Sequence, residues 1–140
     1  MQNKKLIFTN GCFDILHRGH IELLEFCNKL GEVTVGINSD RSVRKLKGIG
    51  RPLNNENDRK FLLEACKFVE RVIIFDDDTP LRLITQLNPD LIVKGGDYDE
   101  ASVVGREIAE VAIFPFKHEY STTGIVEKLS ELKAGIKFEK

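Results

Sequence analysis

The sequence predicts an α/β protein built on a doubly wound, five-stranded parallel sheet with helices on both faces. Three observations lead there. Short apolar runs alternate with amphipathic stretches along nearly the whole chain, the order that builds a parallel sheet. Runs such as Leu6-Ile7-Phe8 and Val33-Thr34-Val35-Gly36-Ile37 are short and largely apolar, as strands buried on both faces require. The first of them passes through a glycine-containing turn into an amphipathic segment, a layout that gathers backbone N–H groups at a helix N-terminus, where anions bind.

The elements follow in order. A strand is predicted over residues 5–9 and a first helix over 18–30, with Leu23, Leu24, Cys27 and Leu30 on one stripe and Gly31 as its stop. A second strand covers 33–37, and Asn38-Ser39-Asp40 reads as a cap for a short helix over 41–46. Residues 47–55, with Gly48, Gly50 and Pro52, form a loop of the kind that carries function. Asn54 or Asn55 caps a helix running to residue 68, its buried stripe made of Leu62, Leu63, Cys66 and Val69, with Arg59 one turn earlier. A third strand covers 71–75. Thr79 caps the next helix with Pro80 at its first position, and Asn88-Pro89 ends it. A fourth strand covers 91–94, a weaker helix 101–109 and a fifth strand 112–115. Ser121 caps a last helix with Ile125, Val126, Leu129 and Leu132 on one face. Ligands of such sheets sit beyond the carboxyl ends of the strands, where strand order reverses. Residues 10–20, 38–40 and 95–98 should therefore converge.

Composition narrows the function. At 140 residues, 41% hydrophobic and 31% charged, the chain suits one domain over residues 1–140. A net charge of −1 argues against a nucleic-acid partner. No apolar run is long enough to insert in a membrane, and no secretory leader is visible, so a cytoplasmic location is expected. Cys12, Cys27 and Cys66 are read as reduced thiols, and without a CxxC pair no structural metal is expected.

The chemistry centres on Gly11-Cys12-Phe13-Asp14-Ile15-Leu16-His17-Arg18-Gly19-His20. At a spacing of three, His17 and His20 share one helix face. Alone, the pair can be read as metal ligands, as ordinary polar residues at a helix start, or as hydrogen-bond donors to a polyphosphate. The flanking glycines favour the donors, since each lets backbone approach a ligand closely. Cys12 lacks the neighbouring base that a covalent nucleophile needs.

This stretch resembles the GxFDxxHxGH signature of the cytidylyltransferase-like nucleotidyltransferases, and Ser121-Thr122-Thr123 resembles their second, ISTT-type motif. The resemblance covers nearly the whole chain. It is greatest to the adenylyltransferase domain of ADP-heptose synthases. The stretches that carry it are Lys45-Leu46-Lys47-Gly48 with Arg51-Pro52-Leu53-Asn54, and Asp78-Thr79-Pro80 with Val93-Lys94-Gly95-Gly96-Asp97-Tyr98.

The resemblance implies a Rossmann-like fold in which His17, His20, Lys47 and Arg59 are catalytic. It implies nucleotide contacts from Thr9, Asn10, Gly11, Cys12 and Phe13, from Gly19, Gly96 and Asp97, and from Ser121, Thr122 and Thr123. Asp14 would orient the motif or touch the acceptor. The reaction implied is transfer of AMP from ATP to a sugar 1-phosphate, D-glycero-D-manno-heptose 1-phosphate, with pyrophosphate leaving, for lipopolysaccharide or another surface glycan. Mg²⁺ would arrive with the triphosphate rather than in a protein cage. A homodimer and a separate sugar kinase are further implications. Glycerol-3-phosphate cytidylyltransferases share the first motif but carry an arginine five residues before the ISTT-type serine, where this chain has Phe116. That activity, or a nucleotide-binding module without turnover, is the alternative.

Overall fold

The computed structural model describes residues 4–96, 99–116 and 120–135. Its sheet contains β1 (Leu6–Gly11), β2 (Glu32–Asn38), β3 (Arg71–Phe75), β4 (Leu91–Gly95) and β5 (Glu110–Phe114). The strands are all parallel, in the order β3-β2-β1-β4-β5. Strand order reverses between β1 and β4. Their ladder runs only through Ile7↔Leu91 and Phe8↔Ile92, so a crevice opens beyond it at the carboxyl ends.

Helices α1 (Arg18–Leu30), α2 (Asp40–Lys47), α3 (Glu56–Glu64), α4 (Leu81–Leu87) and α5 (Thr122–Gly135) follow their strands and turns. Strand alternation sorts the core into two layers. On one face Ile7, Val33, Val35, Ile37, Val72 and Val93 pack against Leu23, Leu24 and Cys27 of α1 and Leu63 of α3. On the other, Phe8, Phe75 and Ile92 pack against Leu83 and Ile84 of α4 and against Val103. Burying each such side chain contributes about 1.5–3 kcal/mol.

The first helix and third strand have the predicted bounds, and Ser39 and Asn55 cap α2 and α3 by accepting from the Ser42 and Asp58 N–H groups. Three expectations need correction. The helix expected to reach residue 68 ends at Glu64. Cys66 N–H and Val69 N–H bond to Leu63 O and Cys66 O, and these tighter turns bring Cys66, Phe68 and Val69 onto the same core layer. Pro80 rather than Thr79 is the N-cap of α4, and no side chain caps it by the usual bond. The helix expected over 101–109 is one 3₁₀ turn, Glu100–Ser102, followed by turns. Gly105 has φ +94°, and a Cβ there would meet Ile92 and Ile84 at 2.8 and 3.0 Å; close packing on the sheet wins over helix continuation. Along α5, Ile125 and Val126 are half-buried, while Leu129 and Leu132 are 58% and 56% exposed.

Candidate active site

The loops at the carboxyl end of the sheet enclose a cavity of about 630 Å³ at the β1/β4 crevice. Asn10, Cys12, His17, His20, Lys47 and Thr122 are among its lining residues. A smaller depression, about 400 Å³, lies at the opposite edge among Lys4, Lys29, Lys67 and Glu70; it holds no motif residue.

The histidines are held by the helix start itself. His17 is the N-cap of α1, and its Nδ1 accepts from the Gly19 N–H at 3.1 Å. His20 Nδ1 accepts from the His17 N–H at 3.3 Å. This is a capping box made of two imidazoles. The rings stack with centroids 3.8 Å apart. A neutral imidazole whose Nδ1 accepts carries its proton on Nε2, so both rings keep an Nε2–H donor. Both rings are held neutral. Burial lowers the His17 pKa; burial, with His17 alongside, lowers His20 to about 3. Gly19 is required by contact, since a Cβ there would meet the His17 ring at 2.9 Å and Tyr120 Cβ at 3.0 Å.

The start of α5 closes the same wall. Ser121 Oγ accepts from the Gly124 N–H at 2.9 Å, and Thr122 Oγ1 donates to Ile15 O at 3.1 Å. Ser121, Thr122 and Thr123 all reach the cavity. Two helix N-termini thus meet at one cleft, each presenting its positive dipole end. Phe116, where the glycerol-3-phosphate enzymes carry arginine, lies against Gly95: a Cβ on Gly95 would meet its ring at 2.5 Å.

Other predicted residues separate into those that line the cleft and those that hold it. Lys47 ends α2 and lines the cavity, as do Asn10, Gly11, Cys12 and Phe13. Arg59 does not reach the cavity, which corrects its expected contact with phosphates. Its side chain is fully buried. Nε donates to Asn54 O, Nη1 to Cys12 O and Asn38 O, and Nη2 to Asp40 Oδ1, all at 2.8–2.9 Å. The guanidinium ties together the turns after β1 and β2 and the lead into α3. Asp14 is likewise a clamp, with its carboxylate accepting from Leu53 N–H, Asn54 N–H and Arg51 Nε. Burial pushes that carboxyl up, but the Asn54 and Leu53 N–H groups and Arg51 outweigh it and hold the pKa below its ordinary value. Thr9 is also corrected: it is fully buried and its Oγ1 has no partner, because alternation turns it, like Ile7, beneath α1. Gly95 rather than Gly96 lines the cavity; the Gly96 N–H donates to Phe114 O. Asp97 lies outside the described residues. Burial raises the Cys12 thiol pKa against Lys47, Arg59 and Arg51, which leaves it a poor nucleophile.

Lys94, Arg51, Asn38 and Asp78 also line the cleft and were not among the expected site residues. Lys94 had a visible signal, being a lysine at the end of an otherwise apolar strand. Among the described residues the cleft's carboxylates are engaged, Asp14 as above and Asp78 with Lys45 Nζ at 2.8 and 2.9 Å. No group of three or more metal-ligating side chains occurs among the described residues.

Two neutral imidazoles and two helix starts meet at a switch-point crevice beside a lysine, an arrangement that suits a nucleotidyltransferase. The sequence matches the family model described as Cytidylyltransferase-like over residues 8–129. The chain belongs to that family. It is 52% identical over 134 residues to the "Bifunctional protein HldE" of Campylobacter jejuni subsp. doylei, a match covering 94% of this chain and 29% of that protein. The Helicobacter pylori protein of the same name is 47% identical, with 92% and 28% covered. The chain thus spans less than a third of the length of these curated relatives. Among solved structures, the lipopolysaccharide core biosynthesis protein from Thermoplasma volcanium superposes with a TM-score of 0.69 at 30% identity, covering 82% of this chain and 98% of that one. Among the described residues no helix is long and apolar enough to cross a membrane.

Proposed function

We propose that the protein transfers AMP from ATP to a sugar 1-phosphate, a heptose 1-phosphate, in the synthesis of lipopolysaccharide or another surface glycan. The observation that carries the reading is the histidine capping box at the crevice. The likeness to HldE proteins and to a lipopolysaccharide core biosynthesis protein supports the acceptor class.

In this reading a phosphate oxygen of the acceptor attacks the α-phosphorus of the nucleotide. The new O–Pα bond forms as the Pα–O bond to the β-phosphate breaks, and pyrophosphate leaves with that electron pair. The acceptor phosphate is already ionised, so no general base is needed. Rate comes from positioning and from neutralising charge. His17 and His20 donate their Nε2–H groups to phosphate oxygens, and the α1 and α5 starts add their positive dipole ends. Lys47 supplies a mobile positive charge from the edge of the cleft. Mg²⁺ would come with the nucleotide rather than sit in a protein cage, and would offset phosphate charge.

The test is pyrophosphate release with ATP, CTP or GTP crossed against heptose 1-phosphate and glycerol 3-phosphate. Turnover should be greatest with ATP and heptose 1-phosphate. Turnover with CTP and glycerol 3-phosphate alone would give the cytidylyltransferase instead, and nucleotide binding with no release from any pair would refute the enzyme reading. A cytoplasmic location and a homodimer belong to the same proposal; a sedimentation mass of one chain would refute the dimer.

A further inference from the structure

The histidines occupy one wall of the cleft, and strand alternation identifies what stands on the other. A Cβ on Gly95 would point at Phe116 and at Leu23 of α1, so Gly95 belongs to the α1 side of the sheet. Its neighbour Lys94 therefore faces the opposite side, in line with Ile92 of the α4-side core. By the same alternation Asn10 follows Phe8 onto the α4 side, and Asn38 lies there too, opposite to its neighbour Ile37 of the α1 side. Asp78 and Thr79, in the lead into α4, line the cavity beside them. The cleft thus has an α1/α5 wall of imidazoles, hydroxyls and helix starts, and an α4 wall of amides, a carboxylate and an ammonium.

Displacement at phosphorus is in line, so the attacking and leaving oxygens lie on opposite sides of it. If the α1/α5 wall holds the leaving pyrophosphate, the nucleophile comes from the α4 wall. We infer that Lys94 binds the phosphate of the acceptor, a phosphate monoester dianion, on the α4 wall of the cleft. The inference rests on the nucleotidyl-transfer reading and deepens it.

A monoester dianion approaching a triphosphate needs a cation close by, because like charges must be brought into contact outside bulk water. Lys94 stands where the β1/β4 ladder has already ended, at the floor of the crevice rather than on its rim. Burial lowers its pKa, and the Cys12 thiol opposes that shift. Lys47 and Arg51 act electrostatically on the same thiol. Lys94, Lys47 and Arg51 all line the cleft that Cys12 also lines. Lys94, fixed on a strand, defines the position, while Lys47 at a helix end can follow the ligand. The neighbouring Thr79 has the chemistry to bind a sugar hydroxyl.

The experiment varies each substrate separately with Lys94→Met and Lys94→Arg. Loss of one charge-assisted contact should raise the KM for sugar phosphate roughly ten- to a hundredfold in Lys94→Met. The KM for nucleotide should stay within about twofold, and Lys94→Arg should recover most of the loss, since the charge is kept. Calorimetric nucleotide affinity without acceptor should match wild type. An equal rise in both KM values, a fall in nucleotide affinity, or an unchanged KM for sugar phosphate would overturn the assignment. Should Lys94→Met fail to fold, Lys94→Gln gives the same comparison. Failure of the wild-type protein to release pyrophosphate with any sugar phosphate would instead refute the parent reading.

Discussion

Each histidine is asked to do two things, and substitutions at His17 can separate them. Nδ1 of His17 caps α1 by accepting from the Gly19 N–H at 3.1 Å; Nε2 is the donor assigned to phosphate. An asparagine side chain places Oδ1 where Nδ1 was, at the same number of bonds from the backbone, and has nothing at the Nε2 position. His17→Asn should therefore keep the cap and lose the donor. His17→Ala loses both. His17→Gln places an amide N–H near Nε2 but loses the cap geometry. Replacing a capping side chain by alanine costs about 1 kcal/mol, which for a domain of this size is a fall in Tm of about 2–5 °C. Removing one donor to a transition-state oxyanion costs about 10²–10³ in kcat. The expected pattern is crossed. His17→Asn melts like wild type with kcat down about 10²–10³, His17→Ala shows the same kcat with the lower Tm, and His17→Gln has the lower Tm with part of kcat retained. Differential scanning calorimetry and single-turnover pyrophosphate release measure both axes. Equal melting of the Asn and Ala variants would refute the cap, and near-normal kcat in His17→Asn would refute the donor.

Arg59→Met should destabilise the fold by about 3–5 kcal/mol in urea titrations, because it strands Asp40 and three carbonyls; a loss under about 1 kcal/mol would show that the guanidinium does not hold the loops. Lys47→Ala, at an exposed helix end, should leave stability within about 0.5 kcal/mol while lowering kcat/KM about ten- to a hundredfold, and an unchanged kcat/KM would remove Lys47 from the site. His20 also predicts a pH dependence. Its pKa falls from 6.5 to about 3 on folding, so below 6.5 the unfolded chain takes up a proton that the folded chain refuses. Stability is full above that pH and declines towards about pH 3 by at most about 1.4 kcal/mol per unit. His20→Asn, which still accepts from the His17 N–H, should lack this component; parallel wild-type and variant curves between about pH 7 and about pH 5 would contradict the shift.

Local rules carried the fold where local and tertiary demands agreed. Residues 18–30 combine a stripe of Leu23, Leu24 and Cys27 with a stop at Gly31, and both are satisfied in α1. They failed at 101–109, where Gly105 serves close packing on Ile92 and Ile84. In the site, the cleft-lining motif residues were legible because their chemistry is local: a turn, a helix start, two imidazoles at one spacing. Arg59 was legible as an inward-facing side chain, since it is one turn before Leu63. Its acceptors were not, because Cys12, Asn38 and Asn54 come from three separate turns that only the β3-β2-β1-β4-β5 order brings together.

That difference bears on how the motif keeps its shape. Phe13 has φ 49°, in the left-handed region, which costs a bulky residue of order 1 kcal/mol or more. Such a turn persists only when its surroundings over-determine it. Here the bonds fall on either side of Phe13. Arg59 Nη1 holds Cys12 O before it, and the Leu53 and Asn54 N–H groups hold the Asp14 carboxylate after it. The Phe13 ring in turn lies 5.0 Å from His20. Residues in and before α3 therefore maintain the strained backbone against which the His20 ring packs. A lysine at position 59 would keep the charge but cannot reach Asn54, Cys12, Asn38 and Asp40 at once. Its effect should appear first as a displaced His20 ring and lost turnover, before any loss of nucleotide-binding residues from the cleft.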